Sequence, residues 1–274
     1  MRLWDAMGLT GKRVLILHHD DLGITYAQNQ AYRQLGRSSG SIMVPSAWAT
    51  DLRGSVGADL GVHVTLTSEW PAPRLRPLSG GASLRDKSGF FWPSLHDAWA
   101  HIDANEAAME IGAQIEGLRR LGLEPTHLDT HMGAVLRPDI AERFVALGTE
   151  LGIPVIAPSN LDDFPVPEAF KTALAEIRER AQLPAVEVID TYDAPANDRR
   201  DWYLDRLSRL GPGVYHVLHH AQVATDEGRQ LLDWEKRQAD FDALSDPIVG
   251  RIFDEFVPLT YAAIRDAARH YGDA

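Results

Sequence analysis

Histidine and aspartate recur in this chain as short clusters that close apolar runs. The clusters are His18-His19-Asp20-Asp21, Val62-His63-Val64-Thr65, His127-Leu128-Asp129-Thr130-His131 and His216-Val217-Leu218-His219-His220. Imidazole and carboxylate together suit a divalent cation with nitrogen and oxygen ligands. Adjacent carboxylates repel unless a cation or a shared proton relieves them. Asp20-Asp21 therefore fits one aspartate on a metal and the other taking protons, although a lone aspartate there could simply cap a helix. In an extended segment alternate residues share a face, so His127, Asp129 and His131 lie together. Three ionisable groups on a buried face need partners, and Asp129 is well placed to orient a histidine ligand. Metal-assisted hydrolysis uses all of these groups: an open His/Asp metal site, a carboxylate base and a histidine acid.

Other chemistries lack their motifs. The chain has no cysteine, which excludes disulfides, iron–sulfur sites and thiol nucleophiles. No GxSxG elbow, HExxH helix, P-loop or GxGxxG turn is present. A two-carboxylate glycosidase would leave the histidines unused.

The clusters need a scaffold that gathers strand ends. Apolar, β-branched runs predict strands over 13–18, 41–44, 60–66, 126–129, 153–157, 186–190, 214–219 and, weakly, 255–258. Amphipathic spacing predicts helices over 105–122, 167–182, 196–210 and 225–245. In the first of these Ala108, Ile111, Ile115, Leu118 and Leu121 form the apolar face, with Glu106 and Glu110 opposite. Gly122 supplies the stop. This βα alternation predicts a single α/β domain over 1–274, an irregular (β/α) TIM-like barrel of seven or eight mostly parallel strands. Eight of the eleven histidines fall at or beside strand ends, where such folds carry their chemistry.

A long irregular stretch over 67–94 is expected to contact substrate through Trp70 and Trp92, with Arg74, Arg76 and Arg85 between them. Anchoring of the loop is the equal alternative for the tryptophans, and Trp48 is expected in the core. The net charge of −12 disfavours nucleic-acid or membrane partners. The N-terminal apolar run is too short for a signal peptide, and no 18-residue apolar stretch occurs, so a cytoplasmic protein is expected.

The ordered set LILHHDDLGITYAQN (15–29), GSIMVPSAW (40–48), DLGVHVTLTSEW (59–70), THLDTHMG (126–133) and VLHHA (217–221) resembles the YdjC-like (ChbG/HpnK) carbohydrate deacetylase family. The resemblance implies a barrel related to polysaccharide deacetylases that removes N-acetyl groups from sugars with one divalent ion, Mg or Zn before Mn or Co. By position it implies Asp21, His63 and His131 as metal ligands, Asp20 as base and His219 as acid. The chain departs from the family pattern at His18-His19, at Gly133, where a second histidine is frequent, and at His220, where proline is usual. The last leaves His220 as the alternative acid. The partner implied is a small-molecule or oligosaccharide substrate, and a homodimer is one assembly left open. The rival readings are an amidohydrolase or esterase on a non-sugar substrate and a non-catalytic barrel that binds ligands.

Overall fold

The computed structural model describes residues 3–36, 38–55 and 57–272. In order the elements are α1 (Leu3–Ala6), β1 (Arg13–Leu22), α2 (Tyr26–Leu35), β2 (Ser39–Ile42), β3 (Leu60–Val64), α3 (Leu95–His101), α4 (Ala104–Arg120), β4 (Leu128–Thr130) and α5 (Pro138–Leu151). Then come β5 (Ala157–Pro158), α6 (Glu168–Arg180), β6 (Ala185–Asp190), α7 (Arg199–Ser208), β7 (Gly213–His219), α8 (Trp234–Leu244), α9 (Pro247–Phe253), β8 (Val257–Pro258) and α10 (Tyr261–Gly272). The predicted strands and helices all occur, with shifted ends. β5 is shorter than expected, and the 225–245 helix starts only at Trp234.

These strands pair in parallel throughout, and their order is β4-β3-β2-β1-β7-β6-β5, with β8 added on β1. The ring closes through the segment before β5. The Leu128 amide donates to Pro154 O at 2.8 Å, and the Ile156 amide donates to Leu128 O at 3.1 Å. Two bonds and two very short strands make this the thinnest seam of the barrel. The sheet is the irregular α/β barrel that the alternation of elements predicts.

Alternation along each strand decides which groups reach the interior. On β1, Val14 and Ile16 pack with Tyr261 and Ile264 of α10, which plugs the base of the barrel. Leu15 instead packs outward with Tyr203 and Val217 under α7 and α9. His18 therefore points inward, and His19 points outward against His219, the rings tilted with centroids 4.5 Å apart. On β7 the outward set is Tyr215 and Val217, which continues to His219.

Helix ends follow their capping residues. Thr25, Ser94, Asp103 and Asp246 accept backbone N–H groups at the starts of α2, α3, α4 and α9. On α4 the buried set is Ala107, Glu110, Ile111, Gln114, Ile115 and Leu118. Ala107 replaces the expected Ala108, and Glu110 is not on a solvent face. Its carboxylate accepts from Leu78 N at 3.0 Å and Ser79 N at 2.7 Å, while Glu106 accepts from Ser83 N at 2.7 Å. Both glutamates satisfy half-buried backbone amides of the 67–94 stretch and tie it to α4. Trp48 is 39% exposed and packs on Tyr26, so the expectation of a core position fails. Among the described residues no helix is long and apolar enough to cross a membrane.

Candidate active site

The carboxyl end of β1 breaks strand regularity. Its pairing with β2 shifts register between His19 and Leu22, and Asp21 takes φ 63°. In a regular strand neighbours point to opposite faces; a bulge re-aims one of them. Asp20 and Asp21 consequently both line one cavity at the end of the barrel.

Asp21 sits at the centre. Its Oδ1 lies 3.2 Å from His63 Nε2 and 2.9 Å from His131 Nδ1, and its Oδ2 accepts from Arg237 NH2 at 2.9 Å. One donor atom each from Asp21, His63 and His131 fall within 4.8 Å of one another, and all three residues are buried. His63 arrives from β3 and His131 from the end of β4, where left-handed Met132 (φ 56°) and Gly133 (φ 69°) turn the chain away at once.

Asp129 braces the cluster from behind. It accepts from His63 Nδ1 at 2.9 Å, Ser41 Oγ at 2.7 Å and His18 Nε2 at 3.0 Å. With Nδ1 engaged, His63 presents Nε2 toward Asp21, the carboxylate–imidazole arrangement that orients metal ligands. One carboxylate and two imidazoles with open space in front make a donor set that fits Zn²⁺ or another divalent ion.

Electrostatics separates the two aspartates. Burial pushes the Asp20 carboxyl up to about 7, with Asp129 and Asp21 adding to the rise against His63 and His18. Burial opposes ionisation of Asp21 as well, but His131 and Arg237 outweigh it and hold Asp21 well below the usual carboxylate range. For His131 burial is offset by Glu69 and Asp21, which raise it to about 9. Neighbouring titratable groups driven in opposite directions mark acid–base sites.

The residues expected from sequence divide at the last strand. His219 is fully buried, with Nε2 3.2 Å from Ser38 Oγ, and it does not line the cavity. Outward alternation on β7 turns it toward the helices. His220, one residue past the strand, lines the cavity with Nε2 4.0 Å from Asp20 Oδ2 and 3.9 Å from Asp21 Oδ2. The geometry thus moves the histidine at the site from His219 to His220. His216 also reaches the cavity, with Nδ1 2.6 Å from Tyr261 OH. His127 stays in the barrel core, stacked on Tyr261 at 4.1 Å.

The 67–94 stretch contributes less to the cavity than expected. Trp70 reaches it and stacks on His131 at 5.3 Å. Trp92 anchors the loop, stacking on His101 and donating Nε1 to Ser83 O at 2.7 Å. Arg74 bonds Ser68, Asp86 and the carbonyl of Phe91, while Arg76 and Arg85 bond loop carbonyls. The arginines brace the loop and do not line the cavity.

Sequence reasoning missed three contributors. Glu69 accepts from His131 Nε2 at 2.7 Å, and buried Arg237 links Asp21 to Asp233, with NH2 2.8 Å from the Asp233 carboxylate. The i, i+4 spacing of Asp233 and Arg237 is the only local signal, and on exposed helices that spacing is commonplace.

Comparison with known proteins gives the family. A family model described as YdjC-like protein matches residues 14–255. The carbohydrate deacetylase of Thermus thermophilus is 48% identical over 267 residues, covering 97% of this chain and 99% of its own. The chitooligosaccharide deacetylase of Yersinia pestis bv. Antiqua is 30% identical over 155 residues, covering 53% of this chain and 59% of its own. A crystal structure from Enterococcus faecalis V583, of a protein named for cellobiose-phosphate cleavage, shares the fold. Its TM-score is 0.73 at 18% identity, over 92% of this chain and 99% of that one. Fold, strand-end cluster and sequence together make this chain a member of the YdjC-like family.

Proposed function

We propose that this chain is a metal-dependent carbohydrate deacetylase, acting as one catalytic unit over residues 1–274, with Asp21, His63 and His131 holding a divalent ion. The observation that carries the reading is the convergence of Asp20, Asp21, His63, His131 and His220 on one cavity from two strands and from the residues that follow two more. The relatives named as carbohydrate deacetylases support the substrate class. A bound divalent ion would polarise the acetamide carbonyl and lower the pKa of the attacking water.

The chain's own groups divide the remaining work. Asp20, with its pKa near 7, suits a base that takes a proton near neutrality and gives it up again. The amine is a poor leaving group until protonated. Burial drives His220 down to about 3, so the ring rests neutral. Its Nε2 stands 4.0 Å from Asp20 Oδ2, so we assign it as a relay that passes the Asp20 proton to the departing nitrogen once bound substrate brings the two side chains within hydrogen-bond reach. Arg237 keeps Asp21 ionised and fixed. The acidic chain, at −12, suits a small sugar substrate rather than nucleic acid, and the cytoplasm is the compartment this reading assigns.

The test is amide hydrolysis on a panel of N-acetylated mono- and oligosaccharides beside simple N-acetyl amines. Release of acetate from the sugars, lost on chelation and regained with a divalent ion, is expected. Turnover of the simple amines with no turnover of any sugar would move the enzyme to the non-sugar amidohydrolases.

A further inference from the structure

The cavity runs well past the histidine–aspartate cluster. Its volume is about 480 Å³, whereas a dry apolar cavity of about 150 Å³ already accommodates benzene. The methyl of an acetyl group leaves most of that space unfilled. The wall changes character with position. Glu69, Tyr192, Asp193, Asp233 and Arg237 give polar groups suited to sugar hydroxyls. The far wall is hydrocarbon, Leu136, Phe144, Val155, Phe164, Leu174 and Ile177, from the turn after β4, from α5, from the segments flanking β5 and from α6, with Arg178 the charged side chain among them, its NH1 donating to Pro158 O.

The hydrocarbon wall begins at the cluster itself. His131 leads directly into the 131–136 turn, whose Val135 and Leu136 line the cavity. The scissile carbonyl must lie against Asp21, His63 and His131. Tyr192, Asp193, Asp233 and Arg237 suit the sugar beyond the nitrogen, an orientation that turns the substituent on the carbonyl carbon toward that wall. Apolar cavities cost stability in proportion to the volume left empty, and they reward hydrocarbon that enters them.

We propose that this chamber is an acyl-binding site, and that the preferred substrates are amino sugars N-acylated with chains longer than acetyl, such as hexanoyl. The proposal rests on the deacylase reading above and adds the acyl class. In the reaction the hydroxyl of water joins the acyl carbon, the C–N bond breaks and the proton passes to nitrogen. The products are a medium-chain carboxylate and a free amino sugar.

The test measures kcat/KM of the metal-loaded enzyme for glucosamine carrying N-acetyl, N-butyryl and N-hexanoyl groups, and for the octyl glycoside of N-acetylglucosamine. Each added methylene should raise kcat/KM by roughly two- to fourfold through hexanoyl. Val166→Phe and Leu174→Trp narrow the chamber away from the cluster, and each should erase that gain while N-acetyl hydrolysis persists. A flat or falling series with N-acetyl still hydrolysed would overturn the acyl site and leave the deacetylase reading standing. A gain confined to the octyl glycoside would hand the chamber to the aglycone and also overturn it. No hydrolysis of any amide would remove the deacylase reading, and the acyl site with it.

Discussion

Asp129 offers the sharpest perturbation because it touches the cluster without belonging to it. Its Oδ1 accepts from His63 Nδ1 at 2.9 Å, and its Oδ2 accepts from Ser41 and His18. Asp129→Asn keeps the volume but removes the charge and replaces one acceptor with an amide donor. One carbonyl oxygen must then serve what two carboxylate oxygens served, and without the charge the hold on His63 Nδ1–H, with Nε2 toward Asp21, weakens. Removing such a brace costs about 10–100-fold in metal affinity, equivalent to about 1.4–2.7 kcal/mol. Competition against a chromophoric chelator reads the affinity directly. Asp129→Ala should add a loss of fold stability, because it removes the shared acceptor of three buried polar groups and leaves them to one another and to Asp20, each unmet bond costing about 1–3 kcal/mol before the site relaxes. Comparing the two variants separates orientation from stability: the asparagine variant should lose metal affinity at nearly unchanged urea midpoint. Wild-type affinity in Asp129→Asn would refute the bracing role and leave His63 positioned by Ser41 and packing.

Three further outcomes follow from the same geometry. Asp20→Asn should retain metal and lose about 10²-fold or more in kcat, since the amide cannot accept a proton; loss of metal instead would make Asp20 a ligand. His220→Ala should cut amide turnover far more than turnover of an acetyl ester, whose leaving group needs less protonation, while His219→Ala should spare both; the reverse pattern would restore His219 as the acid. Asp59 caps α10, accepting from Tyr261 N at 2.8 Å and Ala262 N at 2.9 Å, so Asp59→Ala should cost about 1 kcal/mol in urea unfolding. Burial raises the Asp59 pKa, but His127 and hydrogen bonds from Thr126, Tyr261 and Ala262 lower it more. A depressed carboxylate stabilises above its unfolded value of about 3.9 and loses that contribution as pH falls through the folded value. The difference between Asp59→Ala and wild type should therefore shrink in acid, and an undiminished difference at low pH would count against the cap.

Much of this architecture was legible in the residues, for identifiable reasons. Buried parallel strands are continuous apolar runs, and their ends were marked by the charged clusters themselves. Alternation alone put Asp129 and His131 on one face and Asp129 behind a ligand. It failed where the backbone departs from regular geometry: the bulge at Asp21 lets adjacent aspartates reach one cavity. At the end of β7 alternation holds, turning His219 outward and His220 in, and it was the positional resemblance that pointed to His219. Long-range partners left no local trace. Arg237 is 216 positions from Asp21, and Glu110 looks like any solvated helix glutamate until the 78–79 backbone is seen resting on it. The arginines of the 67–94 stretch misled because a loop that long needs internal bracing before it can offer anything to a ligand.

The central claim is that Asp21, His63 and His131 hold the ion on which deacetylation depends. The most direct measurement follows metal content and acetate release together as a divalent ion is returned to the stripped protein. Activity on an N-acetylated sugar should rise linearly and saturate at one ion per chain. His63→Ala and His131→Ala should stay inactive and hold the ion at least about tenfold more weakly, beyond the low end of the range for losing an outer brace. Full activity in the stripped protein, or wild-type metal content in both variants, would contradict the claim.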